Sequence, residues 1–270
     1  MADTWNPQQY EKFKNERSAP FFDLMSLVEK KRDMRVVDLG CGTGELTATL
    51  HRHLEARETC GLDSSREMLT KAASVAISRS TNEQGTSECG ALWFEESNIQ
   101  TWNQNGEEDG LYDLVFSNAA LQWCDNHPEL FRRFRRALRS SGQVAIQMPM
   151  NQDYPTHTVA SQMAREMSQV LGGVGLQESM LSLADYSNLL YKLGFKRQET
   201  VLKVYGHVMP SREDVVEWVK GTTLNLFKQK LSSDDYAKFL TEYRTRLFAE
   251  LPDDRPFFYP FKRVLLWGSV

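Results

Sequence analysis

Val36-Val37-Asp38-Leu39-Gly40-Cys41-Gly42-Thr43-Gly44-Glu45-Leu46-Thr47 is the stretch whose reading decides the fold. Val36, Val37 and Leu39 have the character of the end of a buried strand, and a helical pattern begins at Glu45. Between them the glycines at alternate positions let the backbone turn tightly, adopt positive φ and come close to a ligand. Such a turn sits just outside the carboxyl end of a strand, where open α/β sheets bind their ligands. A dinucleotide site expects Gly-x-Gly-x-x-Gly, with the last glycine needed for close helix–strand packing. Here that position is Glu45, bulky and negative at the helix start where a pyrophosphate would have to sit. The turn therefore points away from a phosphate-bearing dinucleotide.

The next strand strengthens the case for a nucleoside ligand. Thr59-Cys60-Gly61-Leu62-Asp63 ends in an acid 19 residues past Gly44. That is close to the roughly 20-residue spacing of ribose-binding acids. Asp63 and Ser64 could also simply cap the helix that follows. Met68, on that helix, can pack on an adenine face or belong to the core.

Outward from this point, strands at Arg35–Leu39, Thr59–Leu62, Leu92–Glu95, Tyr112–Ser117 and Gln143–Met148 alternate with helical patterns at 45–54, 65–79 and 127–139. Alternation of this kind predicts a parallel sheet covered on both faces. Asn82 to Gly90 reads as a loop. Upstream, Asn6-Pro7 opens one helix that carries Tyr10, Phe13 and Arg17, and a second runs from about Pro20 to Lys31. After Met150 the rhythm changes: 151–180 is irregularly helical, Leu183–Leu193 is a helix ended by Gly194, Gln198–Tyr205 a strand, 211–250 helical, and Phe258–Trp267 a last apolar strand. We expect a single domain over 1–270, with helices 6–31 and the inserts at about 151–180 and 211–250 forming a cap over the ligand site.

Composition bounds the function. The chain has 270 residues, 41% hydrophobic and 25% charged, with a formal net charge of −4. This supports a sizeable core and no global attraction to nucleic acid or anionic membranes. No 18-residue apolar run and no signal peptide is expected, and Cys41, Cys60, Cys89 and Cys124 lack Cys-x-x-Cys spacing, which fits reduced thiols in a cytoplasmic protein. His51 and His53, two apart on a helix, point to different faces, so no metal is expected.

Asp38-x-Gly40-x-Gly42-x-Gly44 resembles motif I of class I S-adenosylmethionine (SAM)-dependent methyltransferases. The resemblance implies a Rossmann-like α/β fold with a seven-stranded sheet, mostly parallel with an antiparallel last strand, and SAM as cofactor. It implies cofactor contacts from Asp38, Gly40, Cys41, Gly42, Gly44, Asp63, Ser64 and Met68, with Asn98, Ile99, Asn118 and Tyr10 as further candidates. SAM lacks a phosphate; its amino-acid end carries an ammonium and a carboxylate, suited to an acid such as Asp38 and to free backbone amides. Within that class the chain is most similar to the trans-aconitate 2-methyltransferase family. That similarity rests on Trp5-Asn6-Pro7-x-x-Tyr10-x-x-Phe13-x-x-Glu16-Arg17-Ser18-x-Pro20, Ser117-Asn118-Ala119-Ala120-Leu121-Gln122-Trp123, Gln147-Met148-Pro149 with Pro155-Thr156-His157, and His207-x-Met209-Pro210-Ser211. One departure is Asn98-Ile99, where the family usually has Asp-Ile. The Asn carbonyl can still accept from the adenine amino group, or Asn98 is a strand-end turn residue.

The acceptor implied is a small carboxylic acid. A carboxylate has an ordinary pKa near 4 and is already ionised at neutral pH, so methyl transfer to it needs no general base. It needs alignment and exclusion of water. Arg17 is the first candidate to hold an acceptor carboxylate, since its fork matches that geometry. Trp123 can donate its indole N–H and exclude water; Gln122 and His157 are further contact candidates. The Gln122-Trp123-Cys124 segment is also similar to malonyl-[acyl carrier protein] methyltransferases, for which the basic run Arg132, Arg133, Arg135, Arg136 and Arg139 could dock an acidic carrier protein. Phe131, Phe134 and Leu138 share the core face of that helix, leaving the arginines outside. RNA as acceptor would call for a basic domain with stacking platforms, and the chain is acidic. A SAM-binding protein without transfer activity is the remaining alternative.

Overall fold

The structure is a computed structural model, and it describes residues 14–78, 80–81, 87–171 and 180–270. In chain order its elements are α1 (Lys14–Leu27), β1 (Arg35–Leu39), α2 (Glu45–Leu54), β2 (Glu58–Asp63), α3 (Arg66–Ala72), β3 (Ser80–Thr81), β4 (Ser87–Cys89), β5 (Ala91–Glu96), β6 (Tyr112–Asn118), α4 (His127–Ala137), β7 (Leu138–Pro149), α5 (Pro155–Glu166), α6 (Ser168–Leu171), α7 (Leu183–Lys192), β8 (Arg197–Met209), α8 (Arg212–Lys220), α9 (Asn225–Lys230), α10 (Ser233–Glu250) and β9 (Phe257–Ser269).

Seven strands form one sheet in the order β5-β2-β1-β6-β7-β9-β8. The pairs β1–β2, β1–β6, β2–β5 and β6–β7 are parallel. Strand β9 runs the other way. Val270 N bonds Gly142 O near one end of β7, and Met150 N bonds Lys262 O at the other. Lys196 N bonds Ser269 O, so β8 is antiparallel to β9 in turn. This is the expected class I methyltransferase sheet.

The chain divides into two compact units. The sheet unit comprises Ala19–Pro149, Ser179–Lys203 and Val264–Val270. Its core includes Phe21, Leu24, Val36, Leu50, Leu114, Phe116 and Leu265. Central strands are buried on both faces, which is why Val36, Val37 and Leu39 are all apolar and Asp38 between them is buried too. The helical unit comprises Met1–Ser18, Met150–Glu178 and Val204–Arg263 as far as these are described. Its core gathers Val159, Met163, Trp218, Phe227, Phe239, Tyr243, Leu247, Tyr259 and Phe261. Among the described residues no helix is long and apolar enough to cross a membrane.

Two expectations are corrected. The helix break near Pro20 is absent: α1 runs through that residue, which is buried. Proline removes one backbone donor there, but Phe21, Leu24, Met25 and Val28 continue one buried face and hold the helix together. The stretch expected as a loop at 82–90 contains a short strand, β4, paired antiparallel with β3, Ser80 opposite Cys89 and Thr81 opposite Ser87.

Candidate active site

The glycine turn follows β1 directly. Gly40, Gly42 and Gly44 have φ of 83°, 55° and 74°. At Gly40 a Cβ would lie 2.3 Å from Ala120 Cβ, so only glycine lets the turn after β1 approach the turn after β6. At Gly44 a Cβ would strike the Phe94 ring at 2.6 Å. At Gly42 it would meet nothing within 4 Å. Gly42 thus faces open space with a conformation that L side chains avoid, as a backbone does when it approaches a ligand. The turn's amides are used internally. Gly40 N and Cys41 N bond Leu62 O, Gly44 N bonds Cys41 O, and Gly42 N donates to Asp63 Oδ2 at 2.9 Å. The amides of Gly40, Cys41, Gly42 and Gly44 are thus all engaged within and beside the turn. Cys41 itself is buried, and burial pushes its thiol pKa far up.

Asp63 closes the other side. Besides the Gly42 amide, its carboxylate accepts from Ser65 N through Oδ1 at 2.9 Å. The helix cap is Ser65, whose hydroxyl accepts from Met68 N, and neither Asp63 nor Ser64 takes that role. Asp63 is half-buried, and each carboxylate oxygen keeps a lone pair, so it can still meet ribose hydroxyls. Ser64 is exposed and Met68 half-buried.

Asp38 is only 4% exposed, and its Oδ2 accepts from the Thr47 hydroxyl at 2.6 Å. Burial raises its pKa to about 7, against the lowering effect of the Thr47 bond and with a further push from Asp63's charge. In the absence of a cation it is close to half protonated at neutral pH, and an ammonium beside it would restore the charge.

After β5, Asn98 Oδ1 accepts from Gln100 N at 2.9 Å, so the side chain shapes a turn, the second of the two readings left open by its sequence. Its carbonyl has one remaining lone pair and its amide two donors. Ile99 Cδ1 lies 3.5 Å from the point a Gly40 Cβ would occupy, which brings Ile99 to the glycine turn.

The turn after β6 carries the densest cluster of signals. Ala119 has φ of 55°, a left-handed conformation that costs a non-glycine residue about 1–2 kcal/mol. It is held by Ala119 N bonding Gln147 O at 2.9 Å and by Gln122 Nε2 donating to Ala119 O at 2.7 Å. Strain held by so many bonds clusters at functional sites. Asn118 pairs in register with Gln147 on the neighbouring strand. Asn118 Oδ1, Gln122 Oε1 and both polar atoms of the Gln147 side chain are buried without a hydrogen-bond partner. Each such group costs about 1–3 kcal/mol if left unmatched. Trp123 is 51% exposed, so it is not part of the core.

His157 is engaged within the helical unit. It is 3% exposed, with Nδ1 3.0 Å from Thr156 Oγ1 and Nε2 3.1 Å from Thr223 Oγ1. Burial lowers its pKa to about 4, so it is a neutral core histidine, and the expected acceptor contact is corrected. Tyr10 lies outside the described residues. Arg17 lies on α1, but its side chain is likewise outside them.

The arginine run is also reassigned. Arg132 and Arg133 pair with Glu129, Arg136 with Asp109, and Arg139 with Asp113. Arg133 is buried and donates to Gln100 O at 2.8 Å, so it braces the Asn98 turn instead of facing outward. Two residues went unread in the sequence. Phe94 fills the space that Gly44 and Gly61 leave open, and Gln147 sits fully buried at the end of β7. The Gln-Met-Pro segment was the only available signal for Gln147.

These residues fit SAM. An open glycine at Gly42, a half-buried carboxylate at Asp63, a buried acid at Asp38 and an orphaned Asn118 oxygen lie around the carboxyl ends of β1, β2 and β6.

Comparison with known proteins agrees. Residues 30–203 match the family described as Methyltransferase domain. The chain is 40% identical over 268 residues to trans-aconitate 2-methyltransferase of Deinococcus radiodurans, covering 97% of this chain and 96% of that protein. It is 35% identical to the protein of the same name from Variovorax paradoxus, over 92% and 90% of the two chains. Among solved structures, the YcgJ protein of a Bacillus species superposes with a TM-score of 0.57 at 16% identity, covering 93% of this chain and 97% of that one. A phosphoethanolamine N-methyltransferase of Haemonchus contortus, solved with S-adenosyl-L-methionine, gives 0.55 at 18% over 97% of this chain and 56% of its own. The chain is a class I methyltransferase and belongs to the methyltransferase-domain family, in the branch of the curated trans-aconitate 2-methyltransferases.

Proposed function

We propose that this enzyme transfers the methyl group of SAM to a carboxylate of trans-aconitate, giving the methyl ester. The observation that carries this is the reach of the similarity. The relatives so named align over 92–97% of this chain, so the similarity takes in the helical stretch at about 211–250, beyond residues 30–203, as well as the domain itself.

When bound, SAM supplies an electrophilic methyl carbon on a positively charged sulfur. Held by the glycine turn and Asp63, it would give up that methyl to a carboxylate oxygen, an O–CH3 bond replacing the S–CH3 bond, whose electron pair would stay on the departing sulfur. Opposite charges cancel along the way, so a site that strips water from the carboxylate favours the transition state. The chain's own work is positioning, which in well-placed systems is worth roughly 7–11 kcal/mol. We assign Asp63 and the Gly42 turn to the nucleoside, Asn98 and Ile99 to the adenine side, and Trp123 to the acceptor, with Gln122 fixing the turn that presents Trp123 through its bond to Ala119 O. Arg17 is assigned to an acceptor carboxylate on the resemblance of its sequence motif.

Malonyl-[acyl carrier protein] is the competing acceptor. Its support has weakened, because four of the five arginines that would dock the carrier already have acidic partners within the chain. Methyl-labelled SAM offered with each acceptor separately tests the reading. Base-labile label on trans-aconitate supports it; label on the carrier-bound acid alone replaces it.

A further inference from the structure

We propose that Gln147 is a binding residue for the acceptor, its side-chain Nε2 donating to the carboxylate that is methylated. The inference deepens the carboxyl-methylation reading and rests on it. Gln147 is 0% exposed, yet neither polar atom of its side chain has a partner. Native interiors rarely keep a buried amide wholly unmatched, and those that do occur call for a partner. Its strand neighbour in register is Asn118, with a buried, unpartnered Oδ1. In a parallel pair, residues in register project from the same face of the sheet. Gln122, 6% exposed, contributes a third orphan, Oε1. Its other atom donates to Ala119 O, which fixes Oε1 as the oxygen of that amide.

The Gln147 amide, the one donor among these orphans, suits a reacting carboxylate. An arginine or lysine would hold that anion more tightly, but would also stabilise its charge, and the charge must vanish in the transition state. A neutral amide orients the carboxylate without quenching it. The fully cationic partner then belongs on the acceptor's remote carboxylates. The oxygens of Asn118 and Gln122 are acceptors, suited to positively polarised groups and not to the carboxylate itself.

The test compares wild type with Gln147→Met, of similar length but without hydrogen bonds, and Gln147→Glu, which adds a repelling charge. Steady-state kinetics with trans-aconitate, the SAM dissociation constant and the thermal midpoint are measured for each. We expect Gln147→Met to lower kcat/KM for trans-aconitate roughly ten- to hundredfold, and Gln147→Glu to lower it further. SAM affinity should stay within about twofold and thermal stability should not fall with Gln147→Met. Should a variant misfold, wild type with S-adenosylhomocysteine serves: adding trans-aconitate must shift the Gln147 side-chain amide resonance. Unchanged kcat/KM in folded Gln147→Met, an equal loss of SAM affinity, or an unmoved resonance overturns the proposal. Wild type that methylates neither trans-aconitate nor malonyl-[acyl carrier protein] overturns the carboxyl-methylation reading and this inference together. Wild-type turnover with indifferent variants overturns this inference alone.

Discussion

The Tyr186 hydroxyl lies 2.6 Å from Nδ1 of His127, in the interior of the sheet unit. The other ring nitrogen, Nε2, lies 3.0 Å from Leu121 O and 3.2 Å from Cys124 O. Two carbonyls require a proton on Nε2, so Nδ1 accepts and Tyr186 donates. Burial lowers the His127 pKa, against the pull of those carbonyls, so the ring is neutral. It therefore clamps the turn that carries Gln122 and Trp123.

Tyr186→Phe should release that clamp. Leaving Nδ1 unpaired destabilises the fold by about 1–3 kcal/mol. Trans-aconitate kcat/KM should fall several-fold more than SAM affinity does if the turn serves the acceptor as proposed. Thermal unfolding and kinetics check both. Equal losses for cofactor and acceptor would reduce the pair to a general packing contact.

The pKa of about 7 at Asp38 makes a signed prediction. Its folded value exceeds the ordinary value near 3.8, so the folded chain holds a proton that the unfolded chain has released. Stability of the free protein therefore falls as pH rises from about 4 to about 7, and then levels off. An ammonium placed beside Asp38 reverses the preference. SAM affinity should then weaken roughly tenfold per unit as pH drops below about 7, with proton release seen by calorimetry in buffers of different ionisation heat. Asp38→Asn should abolish the slope. A flat affinity between pH 6 and 8 would leave Asp38 only its Thr47 bond.

Gly42→Ala and Gly40→Ala should part company. Both place a side chain at positive φ, a strain of about 1–2 kcal/mol. Gly42→Ala meets no protein atom within 4 Å, so the fold survives and SAM binding is lost. Gly40→Ala drives a methyl to within 2.3 Å of Ala120 Cβ, so it should unfold at markedly lower temperature. Retained SAM binding in Gly42→Ala would move the cofactor away from this turn.

Neutralising Arg132 and Arg136 should change little. Both pairs are solvent-exposed, and such pairs contribute about 0–1 kcal/mol. Arg132→Ser/Arg136→Ser should leave trans-aconitate turnover within about twofold. A selective loss on a carrier-bound acid would revive the docking surface.

The glycine turn was legible because its chemistry is local. β1 and α2 lie where the pattern put them, 35–39 and 45–54, since a buried parallel strand, a left-handed turn and a helix start all leave marks within twelve residues. The His127–Tyr186 pair was not legible, because its members are 59 residues apart and meet only through the packing of α4 on α7. Pro20 misled for a related reason: propensity argued for a break, and the buried face through Phe21 and Leu24 overrode it. His157 looked like a ligand contact because it belongs to the Pro155-Thr156-His157 segment that carries the family resemblance, whereas Thr223 on a distant segment claims its ring. Gln147 lay in a quoted motif, but its lack of partners is a property of the interior alone.

The most direct test of acceptor identity places methyl-labelled SAM with trans-aconitate and with malonyl-[acyl carrier protein] in parallel reactions, reading base-labile label on each. The account predicts label on trans-aconitate and none on the carrier-bound acid. Label on the carrier-bound acid alone, or on neither, contradicts it.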